Sequence, residues 1–547
     1  MLINITKEII LSALKEKIQT AEELNAIKRR ILRGVKGLKE IPTTAVLLQA
    51  YHKLLKENKI KRSEQMEFIL TKRAVRTLSG VSIITVLTRP APCPGTCIYC
   101  PNERAMPKSY ISDEPAAARA LALHFDPFEQ VARRIASLEA NGHPTDKIEL
   151  IVKGGTWNAY PLEYQYWFIL RCFEAANRLS SRAKSRDPLS TSQKKILRLS
   201  QNDIVLLKQQ LTKIQKKNEL APHRVVGLTL ETRPDHIDEK NITIMREIGC
   251  TRVELGVQTI DDKILQSIKR GHDAHEVARA TELLKNHGFK VDFHLMPQLP
   301  GSTPKKDLEM LSEIFTNEAY RPDMIKIYPC TVVENSELYE WLKAKKYKPY
   351  SNGNLIDVIK KFKTQIPRYT RVSRVIRDIP AHHIKAGNTM TNLRQVIQSE
   401  MKAEGLKCKC LRCREIGHNE KFKNQKEKSK IFRDIYNASN GTEYFLSFED
   451  SKREVVFAFC RLRIFDGKAF IRELHVYGQS LSIGFKNKKA GQHRGLGKKL
   501  ILETEKICKK NKISFLAVIS GVGVRDYYRH LGFKLQKTYM VKKLSKR

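Results

Sequence analysis

The chain has 547 residues, more than one hydrophobic core organises, so two or three domains are expected. Lys+Arg 100 against Asp+Glu 58 gives a formal net charge of +42, which points to a polyanionic partner such as nucleic acid, held through counterion release. No apolar run reaches the ~18 residues of a membrane span, and the Cys 11, an odd number gathered in two tight groups, suit metal ligation in a reducing, cytoplasmic setting better than a disulfide framework.

The opening stretch MLINITKEIILSALKEKI mixes apolar residues with both charge signs and lacks a small-residue cleavage site, so it reads as an amphipathic helix and not as a signal peptide. Residues 1–75 are expected to be helical. Ile27, Ile31, Val35 and Leu38 recur at helical spacing, with Lys28, Arg29, Arg30, Arg33, Lys36 and Lys39 crowded around them. The region is strongly basic, which makes it a candidate RNA contact; a solvated helix face accounts for such a run equally well.

Between residues 76 and 395, short β-rich runs alternate with helical stretches: VSIITVLT, KIELIVKGG, RVVGLTLETRP, TRVELGVQT, KVDFHLMPQLPG and MIKIYPCTVV. Each ends in polar, Gly or Pro residues, the pattern of an α/β domain with parallel strands in a partial or full βα barrel, whose catalytic loops start at the strand ends. Residues 180–220 interrupt it with a lysine-rich helical pattern that reads as a surface insertion.

The loop after the first strand carries Cys93, Cys97 and Cys100, with Tyr99 before the last cysteine. Three thiolates hold a 4Fe-4S cluster one ligand short, which leaves one iron open to chelate a cofactor. Zinc usually takes four ligands from two close pairs, and no second pair lies nearby. The C-x3-C-x2-C spacing resembles the signature of radical S-adenosylmethionine (SAM) enzymes. Lys153-Gly154-Gly155-Thr156 closes the second strand, where two glycines let the backbone approach a ligand; in the radical enzymes a motif at this place holds the SAM amino group. Glu231, Glu254 and Gln258 end the next two strands and are candidates to bind the cofactor, with buried structural pairing the alternative.

Cys408, Cys410 and Cys413 form a second group, in a segment at 396–435 expected to be a small zinc-binding linker. His382, His383 and His418 are the candidate fourth ligands. From residue 436 onward, YFLSFED, VVFAFCRLRIF and AFIRELHVYG alternate like antiparallel strands, and the last leads through Gln492, His493, Arg494, Gly495, Leu496 and Gly497 into the helix KKLILETEKICKK. A Gln-x-x-Gly-x-Gly turn at a strand-to-helix junction presents free backbone N–H groups to a pyrophosphate. It resembles the acetyl-coenzyme A loop of GNAT acetyltransferases, a mixed α/β fold. Tyr527 and Tyr528 follow; the resemblance places a phenol of at least one of them near the thioester, and either can instead fill the core.

Taken together, CPGTCIYCPNERAMPKSY, IVKGGTWNAYPLEYQYWFI, LTLETRPDHI, VELGVQTIDDKIL, RVIRDIPAHHIKAGN and SGVGVRDYYRHLGFKL resemble the catalytic subunit of Elongator and its archaeal and bacterial single-chain relatives. The resemblance implies a tRNA carboxymethyluridine synthase. A 5′-deoxyadenosyl radical from SAM takes a hydrogen from the methyl group of acetyl-CoA, and the carbon radical adds to C5 of the wobble uridine. It implies tRNA, acetyl-CoA and an electron donor as partners, and Lys153, Tyr527 and Tyr528 as catalytic candidates; the charge of the N-terminal helices makes them the candidate tRNA contact, and a homodimer is left open. The rival reading is a protein lysine acetyltransferase, for which Glu473 is the candidate general base.

Overall fold

The computed structural model describes residues 2–35, 41–71, 79–178, 201–418, 429–478 and 495–544. The helical periodicity of the N-terminus becomes four helices, α1 (Leu2–Lys15), α2 (Ala21–Arg33), α3 (Thr44–Lys56) and α4 (Glu64–Leu70). Thr20, Thr43 and Ser63 cap the last three by accepting a backbone N–H with the side chain. Their apolar faces meet in a core of their own, with Ile9, Ile10, Leu47 and Tyr51 fully buried. Arg29, Arg30 and Arg33 stand exposed on α2, while Lys36 and Lys39 lie outside the described residues.

The six expected strands are all present, and a seventh joins them. Strands β1 (Ser82–Leu87), β2 (Lys147–Lys153), β3 (Arg224–Thr232), β4 (Arg252–Gln258), β5 (Lys290–Leu295) and β6 (Met324–Ile327) pair side by side, all parallel, and β8 (Arg371–Arg374) adds to the edge of β6. The sheet remains open, a partial barrel. Between β6 and β8 the chain forms a separate ribbon in which β7 (Val332–Val333) pairs with β9 (Ile384–Ala386).

Side-chain alternation along the strands explains the interior. On β4, Val253, Leu255 and Val257 point outward into the main core, against helices such as Glu239–Glu247 and Ala274–Asn286. Arg252, Glu254, Gly256 and Gln258 take the inner face and line the cavity within the barrel. Register aligns Glu231 of β3 with Glu254 of β4 and Asp292 of β5, so one inner layer is charged across three strands.

The helical segment expected to lie on the surface ends in the helix Gln201–Asn218, which packs on Leu162–Ala176. Leu211 and Asn218 are buried there, and Asn218 Nδ2 donates to Asn177 Oδ1 at 2.7 Å. Residues 179–200 of that segment lie outside the described residues.

The C-terminal sheet is mixed, in the order β10 (Lys430–Ala438), β11 (Gly441–Glu449), β12 (Val456–Phe465), β13 (Lys468–Val476), β14 (Phe515–Val518), β16 (Tyr539–Lys543), β15 (Lys534–Gln536). Strand β10 begins at Lys430, inside the stretch expected to be linker. Only β13 and β14 are parallel, and they pair for three residues, Ala469 to Ile471 against Leu516 to Val518, before parting. The helix Leu496–Lys510 packs on one face through Leu500, Ile501 and Cys508.

The other face meets the lower end of the barrel through arginines. Arg461, Arg463 and Arg472 are at most 1% exposed. Arg472 donates to both oxygens of Asp323 at 2.7 and 2.6 Å, to Glu443 at 3.0 Å and to the Phe289 carbonyl at 2.7 Å. Burial opposes ionisation of Asp323, but Arg472 and Arg461 outweigh it and hold the carboxyl well below the usual range. Removing one member of such a network would strand a buried charge, which costs about 3–5 kcal/mol.

Candidate active site

A single cavity of about 1240 Å³ runs from the cysteine loop, down the inner face of the barrel, to the gap between β13 and β14. At its upper end lie Cys93, Cys97 and Cys100. Three thiolates on one tetrahedral zinc stand about 3.8 Å apart, from Zn–S bonds of about 2.3 Å. Cys93, Cys97 and Cys100 are not among the groups whose sulfurs all lie within 4.8 Å of one another. Two guanidinium groups face them. Arg270 Nη1 donates to Cys97 Sγ at 3.3 Å, and Arg233, fixed by Asp235 at 2.9 and 2.7 Å, presents an Nη1 that has no hydrogen-bond partner among the described residues. A hydrogen bond from Cys100, against the effect of burial, and then Arg270 bring the Cys97 thiol down to about 4. Gly95 is required by this packing, since a Cβ there would fall 2.1 Å from Arg233 Nη1.

Beside the cysteines, Gly154 and Gly155 take φ of 136° and 94°, open only to glycine at low cost. Thr156 brings its Oγ1 within 3.8 Å of Cys93 Sγ. Gln258 ends β4 at φ 70°, a strained conformation for a residue with a side chain.

Lys153, Glu231 and Glu254 meet in one buried ion-paired cluster on the inner face of the barrel, the structural pairing that the sequence left as the alternative to cofactor binding. Glu254 accepts from Lys153, from Lys326 at 2.5 Å and from His294 at 3.0 Å. Glu231 accepts from Tyr110 at 2.7 Å and lies 3.4 Å from His294 and 3.5 Å from Lys153. Burial works against the charged forms, but Lys153 and then His294 hold Glu231 at about 2, and Glu231 with Glu254 keep Lys153 an ammonium. Burial brings Lys326 down to about 8, against the pull of Glu254. The two carboxylates therefore favour the ammonium form of Lys153. Arg233 lies in a strand-end motif whose guanidinium the sequence offered to the cavity, whereas Arg270, His294, Lys326 and Tyr110 were not singled out. Two of them, His294 and Lys326, follow from strand alternation alone, as inner-face residues in register on β5 and β6.

Glu473 sits in the lower part of the cavity, bonded to Arg461 at 2.9 Å and 3.3 Å from Lys290. Despite burial, Lys290 and Arg461 hold it at about 2, too acidic to take a proton from an amine at neutral pH.

At the far end, the parted strands expose Leu474, Val476, Ser520 and Gly521 to the cavity, next to Gly495, Leu496 and Gly497. Gly495 caps the helix Leu496–Lys510 at φ 73°, and no atom of the described residues lies within 4 Å of where its Cβ would be. Gln492, His493 and Arg494 lie outside the described residues. The two tyrosines divide. Tyr528 is buried and packs edge-on against Phe533 with ring centroids 5.7 Å apart, so it fills the core. Tyr527 keeps 41% exposure and turns its phenol to Gly497, where a Cβ would come within 2.7 Å of the hydroxyl.

Away from the cavity, Cys408, Cys410 and Cys413 bring their sulfurs within 4.8 Å of one another, the gathering a single ion needs. Lys363 Nζ stands 3.5 Å from Cys408 Sγ and 4.0 Å from Cys413 Sγ. His382 and His383 are not part of this group. They bond Asp113 instead, at 3.2 and 3.0 Å, which corrects their candidacy as the fourth ligand; the side chain of His418 lies outside the described residues.

The profile described as "Radical SAM superfamily" matches residues 92–314, and "Radical_SAM C-terminal domain" matches 322–403. A protein named "tRNA uridine(34) acetyltransferase" from Methanocaldococcus infernus is 44% identical over 87% of this chain and 88% of its own. "Elongator complex protein 3" of Homo sapiens is 35% identical over 87% of this chain and 86% of its own. The solved structure titled "The archaeal Methanocaldococcus infernus Elp3 with N-terminus deletion (1-46)" superposes with a TM-score of 0.71 at 41% identity, covering 85% of this chain and 99% of that one. With a cysteine loop, a parallel partial barrel and relatives matched over nearly their full length, the chain belongs to the radical SAM family of the tRNA uridine(34) acetyltransferases and Elongator complex protein 3.

Proposed function

We propose that this chain is a tRNA carboxymethyluridine synthase, which joins an acetyl-CoA-derived group to C5 of the wobble uridine. The observation that carries this reading is the continuous cavity from the cysteine loop to the N-terminus of the helix Leu496–Lys510. Uridine C5 offers no acidic proton and an acetyl methyl is a poor nucleophile at neutral pH, so a radical step is the economical chemistry. When bound, the 4Fe-4S cluster and SAM supply a 5′-deoxyadenosyl radical able to remove hydrogen from the acetyl methyl group.

The chain's own residues have assignable parts. Cys93, Cys97 and Cys100 would ligate the cluster, with Arg270 stabilising a thiolate. Gly154, Gly155 and Thr156 would receive the amino group of SAM, and Glu231, Glu254 and Gln258 would supply further polar contacts around it. Gly495, Leu496 and Gly497, together with Gln492, His493 and Arg494, would cradle the pyrophosphate of acetyl-CoA, with the Tyr527 phenol beside the thioester arm. Cys408, Cys410 and Cys413 would hold zinc as a structural staple. The working division is a basic tRNA-binding region at 1–75, a radical SAM unit at 76–395, a zinc linker at 396–435 that overlaps β10, and an acetyltransferase-like unit at 436–547. The exposed Arg29, Arg30 and Arg33 suit phosphate contact by the first of these.

The pairing of Glu473 with Arg461 and Lys290 weighs against the lysine acetyltransferase reading, which needs it as a base. A direct test follows the uridine: protein supplied with SAM, acetyl-CoA and unmodified tRNA should yield carboxymethyluridine. Acetylated lysine with unchanged uridine would reject the proposal.

A further inference from the structure

The pair His382 and His383 has no part in the site described above, yet it is one of two places among the described residues where three potential ligand atoms converge within 4.8 Å; the third ligand is Asp113. His382 Nε2 lies 3.2 Å and His383 Nε2 3.0 Å from the same oxygen, Asp113 Oδ2. Donors on a tetrahedral first-row ion, with bonds of roughly 2.0–2.1 Å, stand about 3.3 Å apart. The two nitrogen–oxygen separations are close to that value, and the third pair of donors lies within 4.8 Å. Two imidazoles of borderline softness beside one hard carboxylate suit Zn²⁺ over Mg²⁺ or Ca²⁺, which take all-oxygen ligand sets.

The backbone on both sides is fixed independently of any ion. Asp113 precedes Glu114, which accepts from the Ile111 N–H at 3.2 Å and from Arg377 at 2.7 Å. The histidines occupy a short 3-10 turn, Ala381–His383, that runs directly into β9. The ligands therefore come from two anchored segments. With His382 and Asp113 side chains 66% and 53% exposed, an ion could enter from solvent and keep an open position for water.

We infer that Asp113, His382 and His383 form a surface Zn²⁺ site, separate from the three-cysteine group. It joins the segment after the cysteine loop, which lines the cavity through Lys108, Ser109 and Tyr110, to the segment after β8. A bound ion would pin the lip of the cavity from outside. Without an ion, both imidazoles donate an N–H to one carboxylate oxygen, and the cluster is a hydrogen-bonded latch only.

The test uses the full-length protein with its cluster reconstituted anaerobically, equilibrated with Zn²⁺ and freed of excess, and counts zinc per chain by mass spectrometry. The three-cysteine group contributes equally to wild type and to His382→Ala/His383→Ala, so the difference between them isolates this site. The expected result is one fewer zinc per chain in the double variant, with Asp113→Asn weakening Zn²⁺ at the same site by roughly tenfold or more. Added Zn²⁺ should raise the melting temperature of wild type more than that of the double variant, whose metal-free melting temperature shows whether it is folded. Equal zinc content and equal response to Zn²⁺ in folded wild type and double variant would overturn the inference.

Discussion

Gly154→Ala is the sharpest single test of how the barrel meets its cofactor. A Cβ at this position would fall 1.8 Å from Thr88 Oγ1 and 3.1 Å from Thr88 Cβ, at a φ of 136°. Thr88 cannot swing aside freely, because its hydroxyl bonds Tyr160 Oη at 2.7 Å and the Lys153 carbonyl at 3.3 Å. A disfavoured φ costs about 1–3 kcal/mol, and overpacking adds about 1–3 kcal/mol. The sum, about 2–6 kcal/mol, is large enough to displace the loop Lys153–Thr156 and small enough for a chain with an extensive core to stay folded. Equilibrium binding of SAM to the reconstituted protein should fall at least tenfold, with circular dichroism unchanged. Thr88→Ala in the same chain removes the closest contact and should recover part of the loss, leaving the share due to φ. Wild-type SAM affinity in Gly154→Ala would refute the reasoning, since the glycine would then have no steric role.

Three further outcomes follow from the same geometry. Cys97→Ser removes a buried cluster ligand without touching the exposed arginines of α2, so uridine modification should vanish while tRNA affinity, read by filter binding, stays within a factor of about two; equal loss of both would merge roles that are separate here. Gly495→Glu puts a carboxylate at a helix N-terminus, where it would meet the like charge of a pyrophosphate, so acetyl-CoA binding by calorimetry should be lost, and unchanged affinity would displace the pyrophosphate from that turn. Glu473 is depressed to about 2 in the folded chain against roughly 4.3 in an unfolded one, so its contribution to stability is complete above about pH 4.5 and disappears as pH falls towards 2. Glu473→Gln should therefore flatten the loss of stability in that acid window, measured by urea unfolding at several pH values; an unchanged slope would mean that the carboxylate is not paired.

Much of the fold was legible because it is written locally. The strand runs, the glycines at their ends and the close-set cysteines are short-range patterns, and each occupies the expected place. What escaped was long-range. Strand β8 is four residues, Arg371–Arg374, too short and too polar to register as a strand without its neighbour β6. Arg461, Arg463 and Arg472 alternate along β12 and β13 like the wet face of an antiparallel sheet, and only the approach of Asp323, 149 positions away from Arg472, makes that face a buried interface. His382 and His383 look, by proximity in sequence, like partners for the nearby cysteines, yet they bond Asp113, which lies 269 positions from His382. For the two tyrosines, spacing offered no way to tell core from cavity; the packing of Phe533 decides it by covering Tyr528.

The central claim is that a radical made at one end of the cavity acts on the acetyl group held at the other. Acetyl-CoA with a deuterated methyl group, supplied with SAM and unmodified tRNA to the anaerobically reconstituted chain, tests it through mass spectrometry of the products. The account predicts deuterium in 5′-deoxyadenosine together with carboxymethylated uridine. Deuterium-free 5′-deoxyadenosine, with labelled acetyl groups on lysines and unmodified uridine, would contradict it.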